Sequence, residues 1–263
     1  MRVLVTNDDG FSAPGILHLA RAVYEAGHDV LVAAPETEVS GAGAGLSATV
    51  ADGRVTYDPV ELDGLPEVRA YSVPASPAYI AMLTGLGAFG DPPDLLLSGV
   101  NRGANAGHAI LHSGTVGAVL TGAADGLRGL AVSLNIVGEA ALNAVSTVDD
   151  ETRHWPTAAT IATGLLDWLA AAPEGTVLNL NVPDRPLDAI AGLRPASLAP
   201  FGQVQITVAE HGAGFVRTAL REREAEHAAG SDLALLAEGY ATVTTVQPPV
   251  QHPTLEPPDD WRG

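Results

Sequence analysis

Two adjacent carboxylates, Asp8 and Asp9, lie near the start of the chain in the run VLVTNDDG, between Asn7 and Gly10. Successive side chains of a strand face opposite ways. The two acids can therefore face one ligand only if the strand has ended before them, and Gly10 permits such a turn. Two carboxylates in one pocket repel, and one tends to protonate unless a cation lies between them. A hard divalent ion such as Mg²⁺ or Mn²⁺ takes oxygen ligands and removes the conflict. The bland alternative is an N-cap or Asx-turn, which Asp and Asn favour.

Other segments carry complementary chemistry. HSGT (112–115) opens a run of small residues that reads as a helix. The unpaired N–H groups and positive dipole of a helix start suit a phosphate, and Ser113 and Thr115 add hydroxyl donors around Gly114. Ser and Thr are equally common as plain caps there. SGVNRGANAG (98–107) contributes Asn101, Arg102 and Asn105. Amide oxygens ligate hard metals, and amide N–H groups bind phosphate oxygens. His108 and His112 have the i, i+4 spacing of a metal pair, but the chain between them precedes the proposed helix, which leaves His112 at most a neighbour of a phosphate. SGAGAG (40–45) has G-x-G-x-G spacing with no helix opening after it, so it is not a dinucleotide fingerprint.

These residues need strands and helices to converge. RVLVT (2–6) reads as a buried strand, followed by a helix with Ser12 as cap, Pro14 in its first turn and Gly27 at its end. HDVLVAAP (28–35) completes a βαβ unit of about 30 residues. PDLLLSG (93–99), GLAVSL (129–134) and TVLNLNVP (176–183) read as further strands. Helices are expected over 115–127 and 154–175, the second with Ile161, Leu165 and Trp168 on its buried face. This alternation predicts an α/β fold with a doubly wound, Rossmann-like, mostly parallel sheet. In such sheets ligands bind outside the carboxyl ends of the strands, where these polar loops would all arrive. Residues 47–73, with turns at Asp52-Gly53 and Asp63-Gly64, read as a β-hairpin or arm leading into the strand VRAYSV. The C-terminal part is β-rich: QVQITVA and GFVRTAL pair around His211-Gly212, then come a short helix near 231–238 and the strand YATVTTV. Its end is too rich in Pro for a regular helix or central strand.

Composition excludes several classes. The 263 residues suffice for one large α/β domain, and 46% are hydrophobic. No apolar run reaches the roughly 20 residues of a membrane span, and no basic, apolar leader is visible, so a cytoplasmic location is expected. With no Cys, thiolate sites and Cys nucleophiles are excluded. The formal net charge is −18, and all 13 cations are Arg. Nucleic-acid duplexes and anionic membranes are therefore not expected partners, and an anionic ligand needs local help.

Taken in order, VLVTNDDG, VLVAAPETEVSGAG, LLLSGVNRGANAG and HSGTVGAVLTGAADGLRGLAVSL resemble the SurE family, and the likeness continues through 177–194 and 231–244. The resemblance implies a metal-dependent phosphatase of nucleoside monophosphates, a 5′-nucleotidase with 3′ esters as a further substrate. It implies one divalent metal ion per subunit, held by Asp8, Asp9, Ser40 and Asn101, and phosphate contacts from Asn101, Ser113, Gly114 and Thr115. Asp8 or Asp9 would take the proton of the attacking water. It also implies a single domain, with a core over about 1–185 and an extension over about 186–263 that builds a homodimer or homotetramer. One stretch departs from the pattern. Where the family shows Gly-Thr-Pro-x-Asp-Cys, this chain has ASPAYI (75–80), which keeps Pro77 but places Tyr79 and Ile80 at the acid and Cys positions. A metal- and nucleotide-binding protein with lost or redirected catalysis is the alternative that this change raises.

Overall fold

A computed structural model describes residues 1–136, 150–202, 204–222 and 227–250. The elements are β1 (Arg2–Thr6), α1 (Pro14–Glu25), β2 (Asp29–Pro35), β3 (Asp58–Pro59), β4 (Arg69–Val73), α2 (Pro77–Gly85), β5 (Leu95–Arg102), α3 (Gly114–Ala124) and β6 (Arg128–Asn135). Then follow α4 (Trp155–Thr163), α5 (Leu166–Ala171), β7 (Val177–Pro183), β8 (Leu193–Pro195), β9 (Val204–Gly212), β10 (Phe215–Glu222), α6 (Asp232–Ala237) and β11 (Ala241–Val246).

The main sheet has the order β3-β4-β2-β1-β5-β6-β7-β11-β8. From β4 to β7 the strands run parallel, with β3 and β11 antiparallel to their inner neighbours. Strands buried on both faces need continuous apolar runs, and Val3, Leu4 and Val5 of β1 are fully buried. One face packs against α1 and α4, with Ile16, Leu19, Val23, Trp155 and Ala158 in its core. The other packs against α2 and α3, with Ile80, Val116 and Val119. Each large side chain so buried stabilises the fold by about 1.5–3 kcal/mol. The chain winds outward from β1 through β2 and β4, then crosses to β5 on the other side of β1. The crevice outside the carboxyl ends of β1 and β5 is thus the topological switch point, where ligands of open α/β sheets bind.

Several local expectations are corrected. The residue before α1 is Ala13 with no side-chain cap; Pro14 alone marks the start, and Ser12 lies one position too early. The helix expected over 154–175 is two helices, broken at Gly164-Leu165. That break turns the buried face to Ala158, Ala162, Leu166 and Leu169 and leaves Trp168 57% exposed. Residues 47–73 do not form one projecting hairpin. Ala48 bridges to Ala75, Ala51 to Arg54, and β3 folds back along β4 at the sheet edge. The β9–β10 turn is at Ala213-Gly214, two residues later than expected. The Pro-rich tail beyond residue 250 lies outside the described residues. Among the described residues, no helix is long and apolar enough to cross a membrane.

Candidate functional site

β1 ends at Thr6, so Asn7, Asp8 and Asp9 leave the sheet at the switch point. Asn7 shapes the turn: its Nδ2 donates to the Gly10 carbonyl at 2.8 Å. Gly10 has φ of 93°, and a Cβ there would come within 3.0 Å of the Thr37 backbone. Only glycine combines that backbone with that contact.

The two acids then have different surroundings. Asp8 is 3% exposed and sits on the first turn of α3. Thr115 Oγ1 donates a short hydrogen bond to Asp8 Oδ1, and the backbone N–H groups of Gly114 and Thr115 also bond this carboxylate. Gly114 allows the approach, since a Cβ there would lie 2.7 Å from Asp8 Oδ2. Burial pushes the Asp8 carboxyl up, while the Thr115 and helix-start bonds pull it back in part. Ser113 caps α3, its Oγ accepting from Val116 N–H at 3.0 Å. The anion-seeking start of α3 is therefore met first by the protein's own carboxylate.

Asp9 turns toward a cavity of about 210 Å³ that it lines with Glu38, Ser40, Arg102, Asp150 and Trp155. Its Oδ2 accepts from the Arg102 N–H at 3.1 Å. Burial pushes Asp9 up to about 8, helped by the Asp8 and Glu38 charges and opposed by Arg102. The loop after β2 is tied to this point by Val39 N–H, which donates to the Asp8 carbonyl at 2.8 Å. That bond sets Glu38 and Ser40 beside the cavity, where Ser40 Oγ donates to Glu38 Oε1 at 2.8 Å. Asn101 stands on β5 itself rather than on a loop, because the strand runs on to Arg102. Its Nδ2 donates to the Gly103 carbonyl at 2.7 Å, so a ligand oxygen from this side chain would be its amide oxygen.

Asn105 has a structural part. Its backbone carbonyl accepts from Asn179 Nδ2 (2.7 Å) and Asn181 Nδ2 (2.9 Å), and its N–H donates to Asn181 Oδ1 (2.8 Å). Its own Nδ2 donates to Ser133 Oγ at 2.9 Å. Side chains of β6 and β7 thereby clamp the loop that follows Asn101. His108 and His112 are both exposed, on a 3-10 turn over Gly107–His112. The run 75–80 borders a separate cavity of about 330 Å³, lined in part by Glu36, Thr37, Val39, Ser47, Ala75 and Ser76. Ser76 caps α2 and donates to the Gly45 carbonyl at 2.7 Å, while Ile80 is fully buried.

The structure thus brings Asp9 and Ser40 to one cavity and Asp8 to Ser113, Gly114 and Thr115, with Asn101 on the adjoining strand. Sequence reasoning missed Glu38, Asp150 and Trp155. Glu38 could have been found from its place two residues before Ser40; Asp150 and Trp155 carry no local signal. Two neighbouring acids, both pushed up by burial and Asp9 also by the Asp8 charge, make a site short of positive charge, and the donors on hand are oxygens, which fits a hard divalent ion. Among the described residues no three or more His, Cys, Asp or Glu are arranged to hold one metal ion, so further ligands would be the neutral oxygens of Ser40 and Asn101.

Comparison with known proteins gives the family. The family model described as Survival protein SurE matches residues 3–204. A protein of Stenotrophomonas maltophilia (strain K279a) named 5′-nucleotidase SurE is 32% identical over 100% of this chain and 96% of its own. One of the same name from Legionella pneumophila (strain Philadelphia 1) is 34% identical over 96% of this chain and 93% of its own. The crystal structure of the SurE protein from Aquifex aeolicus superposes with a TM-score of 0.73 at 25% identity, over 95% of each chain. With a family model matched over residues 3–204, relatives above 30% identity along nearly their whole length and the fold in common, this chain belongs to the SurE family.

Proposed function

We propose that the chain hydrolyses nucleoside monophosphates to nucleoside and inorganic phosphate, acting on 5′ esters and also on 3′ esters, with one divalent ion, Mg²⁺ or Mn²⁺, per subunit. The observation that carries this reading is the pair of acids at the switch point, Asp8 held on the start of α3 and its neighbour Asp9 bonded by the Arg102 N–H of β5 and facing the cavity. The relatives named 5′-nucleotidase support it. Asp8, Asp9, Ser40 and Asn101 would hold the ion, which supplies charge neutralisation of phosphoryl oxygens and a more acidic water. The chain's own groups do the rest. Ser113 O–H and the Asn101 amide orient the phosphate beside the α3 start. Asp9, the acid that faces the cavity, takes the proton of the attacking water on Oδ1, since Oδ2 is engaged by Arg102 N–H. Attack in line with the ester oxygen breaks the P–O bond, and the proton taken by Asp9 returns through solvent to the departing ribose oxygen, which leaves as the hydroxyl.

The test is phosphate release from 5′ and 3′ nucleoside monophosphates with Mn²⁺, with Mg²⁺ and with chelator, for the wild type and for Asp8→Asn and Asp9→Asn. Strong release with metal, loss in chelator and at least about 100-fold loss in each variant are expected, as for removal of one acid from a catalytic unit. Equal activity in all conditions would sink the reading.

The same reading makes residues 1–263 one functional unit that works in the cytoplasm as a homodimer or homotetramer. Supporting this, β9 and β10 form their own two-stranded sheet, with Val208 and Val216 each 62% exposed and Phe215 52% exposed. A lone hairpin is marginal in water, and a second copy would cover those side chains.

A further inference from the structure

We propose that Asp232 is a positioning residue for the phosphate site: from the C-terminal part of the chain, its carboxylate sets the turn that delivers Ser113 to the start of α3. This rests on the phosphomonoesterase reading, which takes Ser113 and Asn101 as groups that meet the phosphate. Asp232 is fully buried, where a carboxylate is costly unless its oxygens are bonded. Its bonds among the described residues all come from backbone N–H groups, and from three separate segments. Oδ2 accepts from Gly107 at 2.7 Å, and Oδ1 accepts from Ala199 at 2.9 Å and from Leu233 at 2.8 Å. The plain alternative is a cap for α6, yet Ser231 already fills that place and accepts from Ala234 N–H at 3.4 Å. The bonds to Gly107 and Ala199 reach beyond what the helix start requires.

Gly107 opens the 3-10 turn Gly107–His112, which runs directly into Ser113. Residues 199–202 lie along the first half of that turn. His108 N–H donates to the Ala199 carbonyl at 3.1 Å. A Cβ on Gly107 would lie 2.1 Å from the Phe201 carbonyl oxygen, and one on Gly202 would lie 2.5 Å from Ala109 Cβ. Ala106, Ala199, Leu233 and Leu236 form a small apolar core of their own. The Asp232 carboxylate therefore joins the turn, the segment that covers it and α6 at one point. The far end of the turn is held separately: Ser113 N–H donates to the Ile110 carbonyl at 3.2 Å, and Ile110 packs in the core with Ile80 and Val116. Upstream, the clamp on Asn105 fixes the segment that follows Asn101. Gly107 lies between those two anchors, so its bond to Asp232 governs how Asn101 and Ser113 are placed relative to each other. Groups that orient a phosphate tolerate little error, since a shift of about 1 Å costs on the order of 100-fold in rate.

The experiment compares Asp232→Asn and Asp232→Ala with Leu169→Ala, a change in the core beneath α1 and α4 that weakens folding away from the turn. Asp232→Asn keeps the shape but turns one acceptor into a donor, so either Gly107 or the Ala199 and Leu233 pair loses its partner. Each protein is measured with Mn²⁺ present for thermal stability, for binding of inorganic phosphate by calorimetry, for kcat and KM on a nucleoside monophosphate, and for amide hydrogen exchange. Both Asp232 variants should bind phosphate about 10-fold more weakly and lose about 10- to 100-fold in kcat/KM, with KM taking the larger share. Exchange should quicken over residues 105–115 and stay unchanged in β1 and α1. Leu169→Ala should lose as much thermal stability with phosphate affinity and KM unchanged. Phosphate affinity and KM in Asp232→Asn equal to those of Leu169→Ala, exchange that rises evenly along the chain, or no phosphate binding by the wild type would overturn the proposal. If both Asp232 variants fail to fold, Gly202→Ala, which presses a methyl group on Ala109, decides on the same readouts. A wild type that binds phosphate more tightly than Asp232→Asn but cleaves no ester would defeat the phosphomonoesterase reading and leave Asp232 in this role. Cleavage by the wild type, with Asp232→Asn no more impaired than Leu169→Ala, would do the reverse.

Discussion

At the scale of single residues, the two neighbouring acids differ by what each touches. Asp8 is locked to the α3 start through Thr115 and the N–H groups of Gly114 and Thr115, whereas Asp9 looks into the cavity. Substituting Gly114→Ala forces a methyl group into the 2.7 Å space before Asp8 Oδ2. A loss of about 1–3 kcal/mol in chemical denaturation is expected, as for overpacking, together with a large drop in activity. Asp9→Asn should have opposite effects on activity and stability. Activity should be lost, yet the metal-free variant at neutral pH should be more stable than wild type by on the order of 1–2 kcal/mol, since a buried acid crowded by Asp8 and Glu38 is replaced by a neutral amide. Denaturation in chelator checks this. The acids were legible in the sequence because a like-charged pair in a turn has few stable explanations. Asp150 was not, because its bond to Arg102 Nε spans 48 residues of the chain.

At the scale of elements, the site depends on clamps between strand ends and loops. Asn181→Ala removes two of the three side-chain bonds to the Asn105 backbone and leaves its carbonyl with Asn179 alone. A destabilisation of about 1–3 kcal/mol is expected in denaturation, because the Asn105 N–H loses its partner, with kcat reduced as the loop after Asn101 loosens. The start of α4 is tied to the end of β7 by Asp184, which accepts from His154 N–H, from the His154 ring and from Arg153, each at 2.9 Å. Burial pushes the Asp184 carboxyl up, but the His154 and Arg153 bonds outweigh it and hold it below the usual range. A lowered folded value means that stability is present above the unfolded carboxylate range and is lost as pH falls through the folded value. Asp184→Asn should therefore cost about 1 kcal/mol at neutral pH, after allowance for partial exposure. That difference should shrink toward zero as pH drops below about 4, followed by thermal melts across pH. The strands here were legible from apolar runs. The split of the helix over 154–175 was not, because a Gly inside a helical pattern is tolerated as often as it breaks one.

At the scale of the whole molecule, the exposed Val208 and Val216 on the β9–β10 sheet are the points to change. On the proposed assembly, Val208→Glu with Val216→Glu should shift the protein toward a monomer in light scattering while leaving the switch-point residues in place. By itself the sequence determined the class of fold, since alternating apolar strands and helices admit a parallel sheet and little else. It also singled out Asp8, Asp9, Asn101 and the 113–115 turn as oxygen donors and a helix start, while Ser40 entered only through the family resemblance. Only the tertiary structure decided how these residues divide the work: which acid meets α3, which faces the cavity, that Asn105 is a clamp, and that Arg102 is held by Asp150. The physical reason is range. Periodicity and turn chemistry act over a few residues and can be read along the chain. Burial, charge repulsion and hydrogen-bond partners arise between segments distant in sequence, and they exist only once the sheet has brought its strand ends together.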